Sequence, residues 1–231
     1  MIDNNSFKIT KLTYYCLVAV MILVCIAGVF MTSADKPELI YEDNISKVVE
    51  IKVTDDDNTW GYATGFFVDK NGTILTNKHV VMNTSTNKCY KKILVATATS
   101  AEFVQAEVLK VSETDDLALI KVDMQKTDYF KLGKGVDNGE EIYTIGNPSG
   151  FGLSFTSGVV SSSSRNVIYN GQTINCIQAS FVINEGNSGG PVFNVDGELI
   201  GIISFRLKDN KNDIIQGCSF VIPIQTIKNF L

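Results

Sequence analysis

The chain has 231 residues, of which 45% are hydrophobic and 19% are charged, and its net charge is -5 at pH 7. This composition is typical of a globular protein with one large or two small hydrophobic cores. The negative charge and the lack of a basic stretch argue against nucleic acid as a partner, and no phosphate-binding Gly-Lys-Ser/Thr loop is present.

The first predicted element is an uncharged segment, residues 12–34, close to the N-terminus. At about 1.5 Å per helical residue it is long enough to cross the roughly 30 Å hydrocarbon core of a bilayer. Lysines precede the segment and acidic residues follow it, so the positive-inside rule places the body of the chain outside the cytoplasm. We therefore predict a cytoplasmic tip and transmembrane signal-anchor over residues 1–34, in a single-pass protein of the cell membrane.

A cleaved signal peptide is the alternative for the same segment. The small residues Thr32-Ser33-Ala34 are typical of a cleavage site, and the protein is then secreted. The apolar run is longer than the usual signal core of about 7 to 15 residues, which favours the uncleaved anchor. In both cases the working part of the chain lies on the extracytoplasmic side.

A polar spacer, residues 35–46, separates this segment from a domain over residues 47–231 that is rich in short strands. The strands are predicted at Lys47–Val53, Gly61–Val68, Ile74–Thr76, Ile93–Ala98, Phe103–Val111, Leu117–Val122, Glu141–Ile145, Phe155–Val160, Val167–Tyr169, Thr173–Ala179, Pro191–Phe193, Glu198–Phe205 and Cys218–Ile222. Hairpin signals such as Asn71-Gly72 separate them. The only helices expected are the tail, Ile224–Leu231, and a short turn after His79. We predict an all-β fold of two six-stranded antiparallel β-barrels, about residues 47–130 and 131–231.

His79 is the only histidine of the chain, and two other segments carry residues that complement it. Asp115-Asp116 precedes a predicted buried strand, and Ser188 lies in Gly-Asn-Ser-Gly-Gly-Pro. The chain order His, Asp, Ser is that of a chymotrypsin-type catalytic triad. We predict His79 as the general base, Asp116 as its orienting partner and Ser188 as the nucleophile. Because Asp116 enters the strand first, it is preferred over Asp115; a capped turn without chemistry is the alternative for both.

The glycines around Ser188 suit a tight turn that exposes backbone N–H groups beside the hydroxyl. Gly186 can take backbone angles that other residues avoid. The N–H groups of Gly186 and Ser188 are therefore predicted to form an oxyanion hole. A polar loop with no catalytic role is the alternative interpretation of this segment.

Three segments together resemble the HtrA/Deg family of trypsin-like serine proteases. They are Thr64–Val81, Thr114–Val122 and Ile177–Pro191, with weaker support from Thr144–Gly152, Thr156–Ser161, Gly201–Ser204 and Ser219–Pro223. The resemblance implies a double β-barrel with the triad in the cleft between the barrels. It also implies endoproteolysis of exposed or unfolded polypeptide. We expect no metal, because the chain has no Cys-x-x-Cys pair and only one histidine, and no cofactor, because the triad mechanism needs none.

The sequence departs from the family pattern in two places. Family members commonly carry C-terminal PDZ domains that recruit substrate, and none is expected here before the chain ends at Leu231. Glu185 stands where the family often has Pro or Arg. It either disfavours anionic substrates or faces water, and we prefer the second interpretation.

By the same resemblance, Val182, Ile183 and Cys218 line the primary specificity pocket. Ser204, Phe205 and Arg206 form the strand that pairs with the substrate backbone. Because the pocket residues are apolar, we predict cleavage after Val, Ala or Ile rather than Lys or Arg. Glutamyl endopeptidases are also similar around His79 and Ser188, but their pocket uses a second histidine, which this chain lacks.

Several alternatives stay open at the level of sequence. The charged stretch 206–213 either gates the pocket or is an ordinary solvated loop. Cys176 and Cys218, on neighbouring predicted strands, form a disulfide or remain free thiols. A trypsin-fold binding protein without activity, a protease that a partner activates, and a hydrolase built on Cys89 are the rival functions. An oligomer is compatible with the sequence.

Overall fold

The structure is a computed structural model that describes residues 11–33, 36–56, 58–169, 171–208 and 214–231. The chain divides into two compact units, residues 1–39 and 40–231. The helices are α1 (Lys11–Ser33), α2 (Pro37–Ile45), α3 (Lys78–Val81) and α4 (Ile224–Phe230). The strands are β1 (Val48–Thr54), β2 (Gly61–Phe67), β3 (Thr73–Thr76), β4 (Met82–Asn83), β5 (Lys88–Cys89), β6 (Lys92–Thr97), β7 (Ser100–Gln105), β8 (Glu107–Val111), β9 (Ala118–Lys121), β10 (Lys131–Leu132), β11 (Glu141–Gly146), β12 (Ser154–Tyr169), β13 (Gln172–Ala179), β14 (Pro191–Phe193), β15 (Glu198–Lys208) and β16 (Ile214–Pro223).

The uncharged N-terminal segment forms α1 over most of its length. In the described part of the chain, no helix combines the length and apolar character that crossing a membrane requires. The predicted transmembrane helix is therefore not supported by the structure. Residues 1–10 and 34–35, which include the end of the predicted anchor, lie outside the described residues.

Seven strands form the first curled sheet, in the order β7-β6-β1-β2-β3-β9-β8. Its two outer strands, β7 and β8, are consecutive in the chain and separated only by Ala106, whose N–H donates to the Ile93 carbonyl at 2.8 Å. Alternate residues of β1, namely Val49, Ile51 and Val53, point into the core that this sheet encloses. The single strand predicted over Phe103–Val111 is thus bent into two at Ala106.

The second sheet closes into a ring. Its order is β10-β15-β14-β11-β12-β13-β16, and β16 pairs back with β15, so six antiparallel strands form the ring and β10 adds to β15 in parallel. The two short strands predicted around the serine run are one long strand, β12, because irregularities between Val160 and Arg165 let the pairing with β13 continue. The predicted all-β fold of two six-stranded barrels is confirmed in its coarser form, as a mostly-β fold of two curled sheets; the strand number of six holds only for the ring.

A further hydrophobic cluster joins the two sheets. It combines Phe66 and Phe130 with Phe193 of the ring, and α4 adds Ile227, which is fully buried. The helix α2 was not predicted, because residues 35–46 are polar and were assigned to a spacer. Within it, Ile40 joins the same cluster and buried Asn44 donates from Nδ2 to the Ile40 carbonyl at 2.8 Å.

Candidate active site

His79 lies on the one-turn helix α3, directly after strand β3 of the first sheet. Its ring Nδ1 is 2.8 Å from Oδ2 of Asp116, and its backbone N–H donates to Oδ1 of the same carboxylate at 3.0 Å. A carboxylate only accepts hydrogen bonds, so the proton belongs on Nδ1 and Nε2 is left as the basic nitrogen. Both oxygens of Asp116 thus fix the position and tautomer of the ring.

Asp116 is held by residues from two other elements. The Ser204 hydroxyl, on strand β15 of the ring, donates to Asp116 Oδ2 at 2.8 Å, and Asn77 Nδ2 donates to the Asp116 carbonyl at 3.0 Å. The neighbouring Asp115 instead accepts a hydrogen bond from the Thr114 hydroxyl at 2.7 Å. The structure therefore brings Asp116, and not Asp115, to the histidine. No sequence pattern predicted the hydrogen bond from Ser204 to Asp116, because it joins the two sheets.

Ser188 lies on the turn before β14 and lines the same cleft as His79 and Asp116. Its hydroxyl donates to the Ser204 carbonyl at 3.5 Å, and among the described residues no hydrogen bond joins it to His79. The nucleophile and base predicted from the sequence therefore line one cleft, and among the described residues no hydrogen bond joins them in this conformation.

Gly186 allows the turn before Ser188 to form. Its φ is +95°, in the region that favours glycine, and a Cβ there would lie 2.1 Å from the Asn147 carbonyl oxygen. Within the described residues, the N–H groups of Gly186 and Ser188 donate no hydrogen bond. Two uncommitted donors beside a serine hydroxyl are the arrangement that an oxyanion hole needs.

We expect Gly186→Ala to lower kcat by about 10²- to 10³-fold, comparable to the loss of an oxyanion donor. The added methyl meets a backbone oxygen that cannot move aside, so the turn must rearrange. Gly152→Ala is the matched control, since Gly152 also has a φ of +95° but nothing within 4 Å of the added methyl. The control costs only the backbone strain, about 1–2 kcal/mol, and keeps kcat within a few-fold. Equal kcat values for the two variants, measured on one peptide substrate, would contradict the assignment.

The cleft has a volume of about 1310 Å³. Four of the six residues predicted to bind substrate line it: Ile183, Ser204, Phe205 and Arg206. The other two, Val182 and Cys218, are not among the lining residues. Val182 is 51% exposed, and Cys218 packs against the cluster of Cys176 and Phe205, which themselves line the cleft. Glu185 is exposed at the edge of the cleft.

Arg206 and Tyr169 shape the cleft in ways that the sequence did not indicate. Arg206 Nη1 donates to the Ile183 carbonyl at 3.0 Å, which links two walls of the cleft. Tyr169, at the end of β12, stacks on Phe205 with ring centroids 4.1 Å apart. Burial, and then the charge of Asp116, raise the pKa of the Tyr169 hydroxyl. Residues 209–213 of the predicted gating loop lie outside the described residues.

Cys176 and Cys218 are both free thiols. The register of β13 and β16 pairs Ala179 with Ser219 and Ile177 with Val221, so the two cysteines do not face each other. Burial raises the pKa of the Cys176 thiol to about 11, so little reactive thiolate forms there at neutral pH.

Comparison with known proteins places this site in a family. Residues 63–202 match the family described as a trypsin-like peptidase domain. Serine protease HTRA2, mitochondrial, from Drosophila erecta is 35% identical over 173 residues, which is 73% of this chain and 38% of the relative. The same protein from Drosophila virilis gives the same values. The chain thus spans well under half the length of these curated relatives.

Two solved structures share the fold. The HtrA-type protease AlgW with tripeptide is 26% identical, with a TM-score of 0.73, over 84% of this chain and 62% of the other. The serine endoprotease from Yersinia pestis is 26% identical, with a TM-score of 0.70, over 84% of this chain and 64% of the other. The curled sheets of the body are therefore those of the trypsin-like fold, as the sequence analysis expected.

Proposed function

Because this chain belongs to the trypsin-like peptidase family, with HtrA-type relatives, we propose that it is a serine endopeptidase acting on exposed or unfolded polypeptide. One observation carries the proposal. One cleft is lined by an imidazole oriented by a carboxylate and by a serine hydroxyl, and Gly186 lines a smaller adjoining pocket that His79 and Ser188 also border. Within the described residues, the N–H groups of Gly186 and Ser188 donate no hydrogen bond. These are the parts that acyl transfer to a serine requires.

In the proposed mechanism, Ser188 Oγ attacks the scissile carbonyl while His79 Nε2 accepts the hydroxyl proton. Asp116 stabilises the imidazolium without accepting its proton. The N–H groups of Gly186 and Ser188 hold the negative oxygen of the tetrahedral intermediate. When the intermediate collapses, the C–N bond breaks and His79 returns the proton to the leaving amine. Water then attacks the acyl-enzyme by the same steps, which frees Ser188.

The endopeptidase proposal is tested by incubating the purified chain with a reduced, alkylated protein and with the same protein in its folded form. Internal cleavage of the unfolded form alone is the expected result, because an extended segment must enter the cleft and lie along β15. Cleavage only at chain ends, or no cleavage by the wild-type chain, would contradict the proposal. The Ser188→Ala protein controls for contaminating proteases.

We also propose that the preferred residue before the scissile bond is aliphatic, as in Val, Ala or Ile. Ile183, which is buried and lines the cleft, supports this preference. Mass spectrometry of products from a mixed peptide library measures it directly. Enrichment of Lys, Arg or Glu before the cleaved bond would contradict it.

A latent form of the same peptidase is the second candidate, and the orientation of Ser188 favours it. The hydroxyl donates to the Ser204 carbonyl instead of His79. A chain that stays in this conformation needs substrate or a partner to turn the hydroxyl. Slow turnover that accelerates as unfolded polypeptide is added would support latency, whereas hyperbolic kinetics with constant kcat would contradict it.

Membrane anchoring remains a proposal that the sequence alone carries, through the uncharged run 12–34 ahead of the peptidase domain at 47–231. Extraction of cell membranes at alkaline pH tests it. An anchored chain stays with the membranes, and its domain is digested by protease added to intact cells. A chain that is released by alkaline extraction, or recovered from the medium, would contradict the anchor.

A further inference from the structure

The turn that carries Ser188 is fixed by four hydrogen bonds to successive carbonyl groups. Glu185 O accepts from the Ser149 N–H at 2.8 Å, and Asn187 O accepts from the Gly190 N–H at 2.9 Å. The other two carbonyls, those of Gly186 and Ser188, are both bound by Thr64. Because a peptide unit is planar, fixing each carbonyl also fixes the direction of the N–H on its far side.

Thr64 belongs to strand β2 of the first sheet, whereas the turn belongs to the ring. Its hydroxyl donates to Gly186 O at 2.7 Å, and its backbone N–H donates to Ser188 O at 3.0 Å. The residue is fully buried. The first sheet thus sets the two peptide planes that carry the Asn187 and Gly189 N–H groups. These planes alternate with the two that carry the predicted oxyanion donors, so Thr64 acts on the donors through the shape of the turn and not on their own peptide planes.

The same hydroxyl also accepts a hydrogen bond from the Asn147 N–H at 2.9 Å. Asn147 is almost fully buried, and its side chain donates to Glu50 Oε2 at 2.6 Å and accepts from the Gly152 N–H at 2.9 Å. Its carbonyl oxygen is the atom against which the Gly186 backbone lies. The Thr64 hydroxyl is therefore a hydrogen-bond donor to the turn and, at the same time, an acceptor for the Asn147 N–H.

We propose that Thr64 is a positioning residue, which holds the oxyanion turn in its working shape from the opposite barrel. This inference rests on the proposed peptidase function. The Gly186 carbonyl is the critical contact, because glycine has little intrinsic preference between conformations and its φ of +95° is maintained by its neighbours. Without the hydroxyl, the buried Gly186 carbonyl and Asn147 N–H lose a hydrogen-bond partner. The free energy of this conformation rises, which favours rotation of the turn.

The test compares Thr64→Val with Thr64→Ser on one peptide substrate. Valine has nearly the shape of threonine but no hydroxyl, whereas serine keeps the hydroxyl. We expect Thr64→Val to lower kcat by about 10- to 100-fold with KM within about twofold, less than the loss of a direct oxyanion donor. Thr64→Ser is expected to recover most of kcat. Thr127→Val is the matched control, since it also removes a hydroxyl bonded to a carbonyl at 2.8 Å, that of Asp69, but touches neither the turn nor the cleft.

A second measurement separates positioning from a general loss of stability. A peptide aldehyde binds as a tetrahedral adduct that uses the oxyanion hole, whereas the matching peptide alcohol does not. Thr64→Val should lower the affinity for the aldehyde by about the same factor as kcat and leave the affinity for the alcohol unchanged. Should Thr64→Val fail to fold, Thr64→Ala is measured in its place. A water molecule can fill the space of the hydroxyl and restore part of its bonding, so we expect smaller losses of kcat and of aldehyde affinity, with the alcohol affinity unchanged.

The outcomes distinguish this proposal from the proposed function. An active wild-type chain whose kcat and aldehyde affinity do not change in the folded Thr64 variant overturns the positioning role alone. Equal losses in Thr64→Val and Thr127→Val overturn it as well, because they indicate a general effect on stability. A wild-type chain with neither hydrolysis nor aldehyde binding overturns the peptidase function, and the role of Thr64 with it.

Discussion

Replacing Ser188 by alanine is expected to lower kcat for peptide hydrolysis by about 10⁴- to 10⁶-fold, the range seen when a triad nucleophile is removed. The reason is that no other group in the cleft can form the acyl-enzyme. Of the free thiols in the described residues, the exposed Cys16 and Cys89 do not line the cleft, and Cys176, which does, has its pKa raised to about 11 by burial. Steady-state hydrolysis of one peptide by wild type and variant measures the effect.

The control and the paired variant make this prediction specific. Ser154→Ala removes a hydroxyl from an exposed position of β12 that does not line the cleft, and it should leave kcat unchanged. His79→Ala should cost about as much as Ser188→Ala, and the double variant should be no worse than either, because the two groups act as a unit. Losses that add in the double variant, or residual activity near that of wild type, would refute the assigned roles.

Asp116→Asn is expected to lower kcat by about 10⁴-fold while the fold is retained. An amide in this place can donate to the ring, so His79 takes the tautomer with its proton on Nε2 and loses the basic nitrogen that faces Ser188. The Ser204 hydroxyl, which donates to Asp116 Oδ2, also loses a charged partner. A pH profile of kcat/KM tests the same point, because a neutral partner no longer stabilises the imidazolium.

Asp115→Asn provides the matched control in the adjacent position. Asp115 bonds to the hydroxyls of Ser112 and Thr114 and makes no contact with His79. We expect its kcat within a few-fold of wild type. If Asp115→Asn were the damaging variant and Asp116→Asn were not, the assignment of the orienting carboxylate would be wrong.

The residues of the site could be proposed from the sequence because their chemistry leaves few choices. One histidine fixes the base, and the glycines mark the serine turn. Asp116 is preferred over Asp115 for its expected entry into a strand, but β9 begins only at Ala118, and the hydrogen bonds to His79 are what distinguish Asp116. The mostly-β fold followed from short alternating strands with turn signals between them. These features are local in the chain, and local patterns are what a sequence displays directly.

The contacts that hold the site together could not be predicted, because they join residues far apart in the chain. Thr64 and Gly186 are 122 positions apart, and Ser204 and Asp116 are 88 positions apart. No periodicity marks a threonine on a barrel strand as the partner of a turn in the other barrel. The structure also separates the two predicted pocket neighbours, because Ile183 is buried and lines the cleft whereas Val182 is exposed and does not line it.

The secondary structure differs from expectation where tertiary contacts override composition. The polar stretch 35–46 contains the helix α2, whose Ile40 is buried in the cluster between the sheets. Burial of one apolar residue and an internal bond from Asn44 stabilise a helix that a polar composition does not suggest.

The most direct test of the account is labelling of the full-length chain with a fluorophosphonate, followed by peptide mapping by mass spectrometry. The reaction should be run alone and with excess unfolded polypeptide, so that a latent conformation is also detected. The account predicts a single phosphonylated residue, Ser188, and no label on Ser188 in the His79→Ala protein. Absence of label under both conditions, or label on a different serine, would contradict the claim that this cleft is the active site of a serine peptidase.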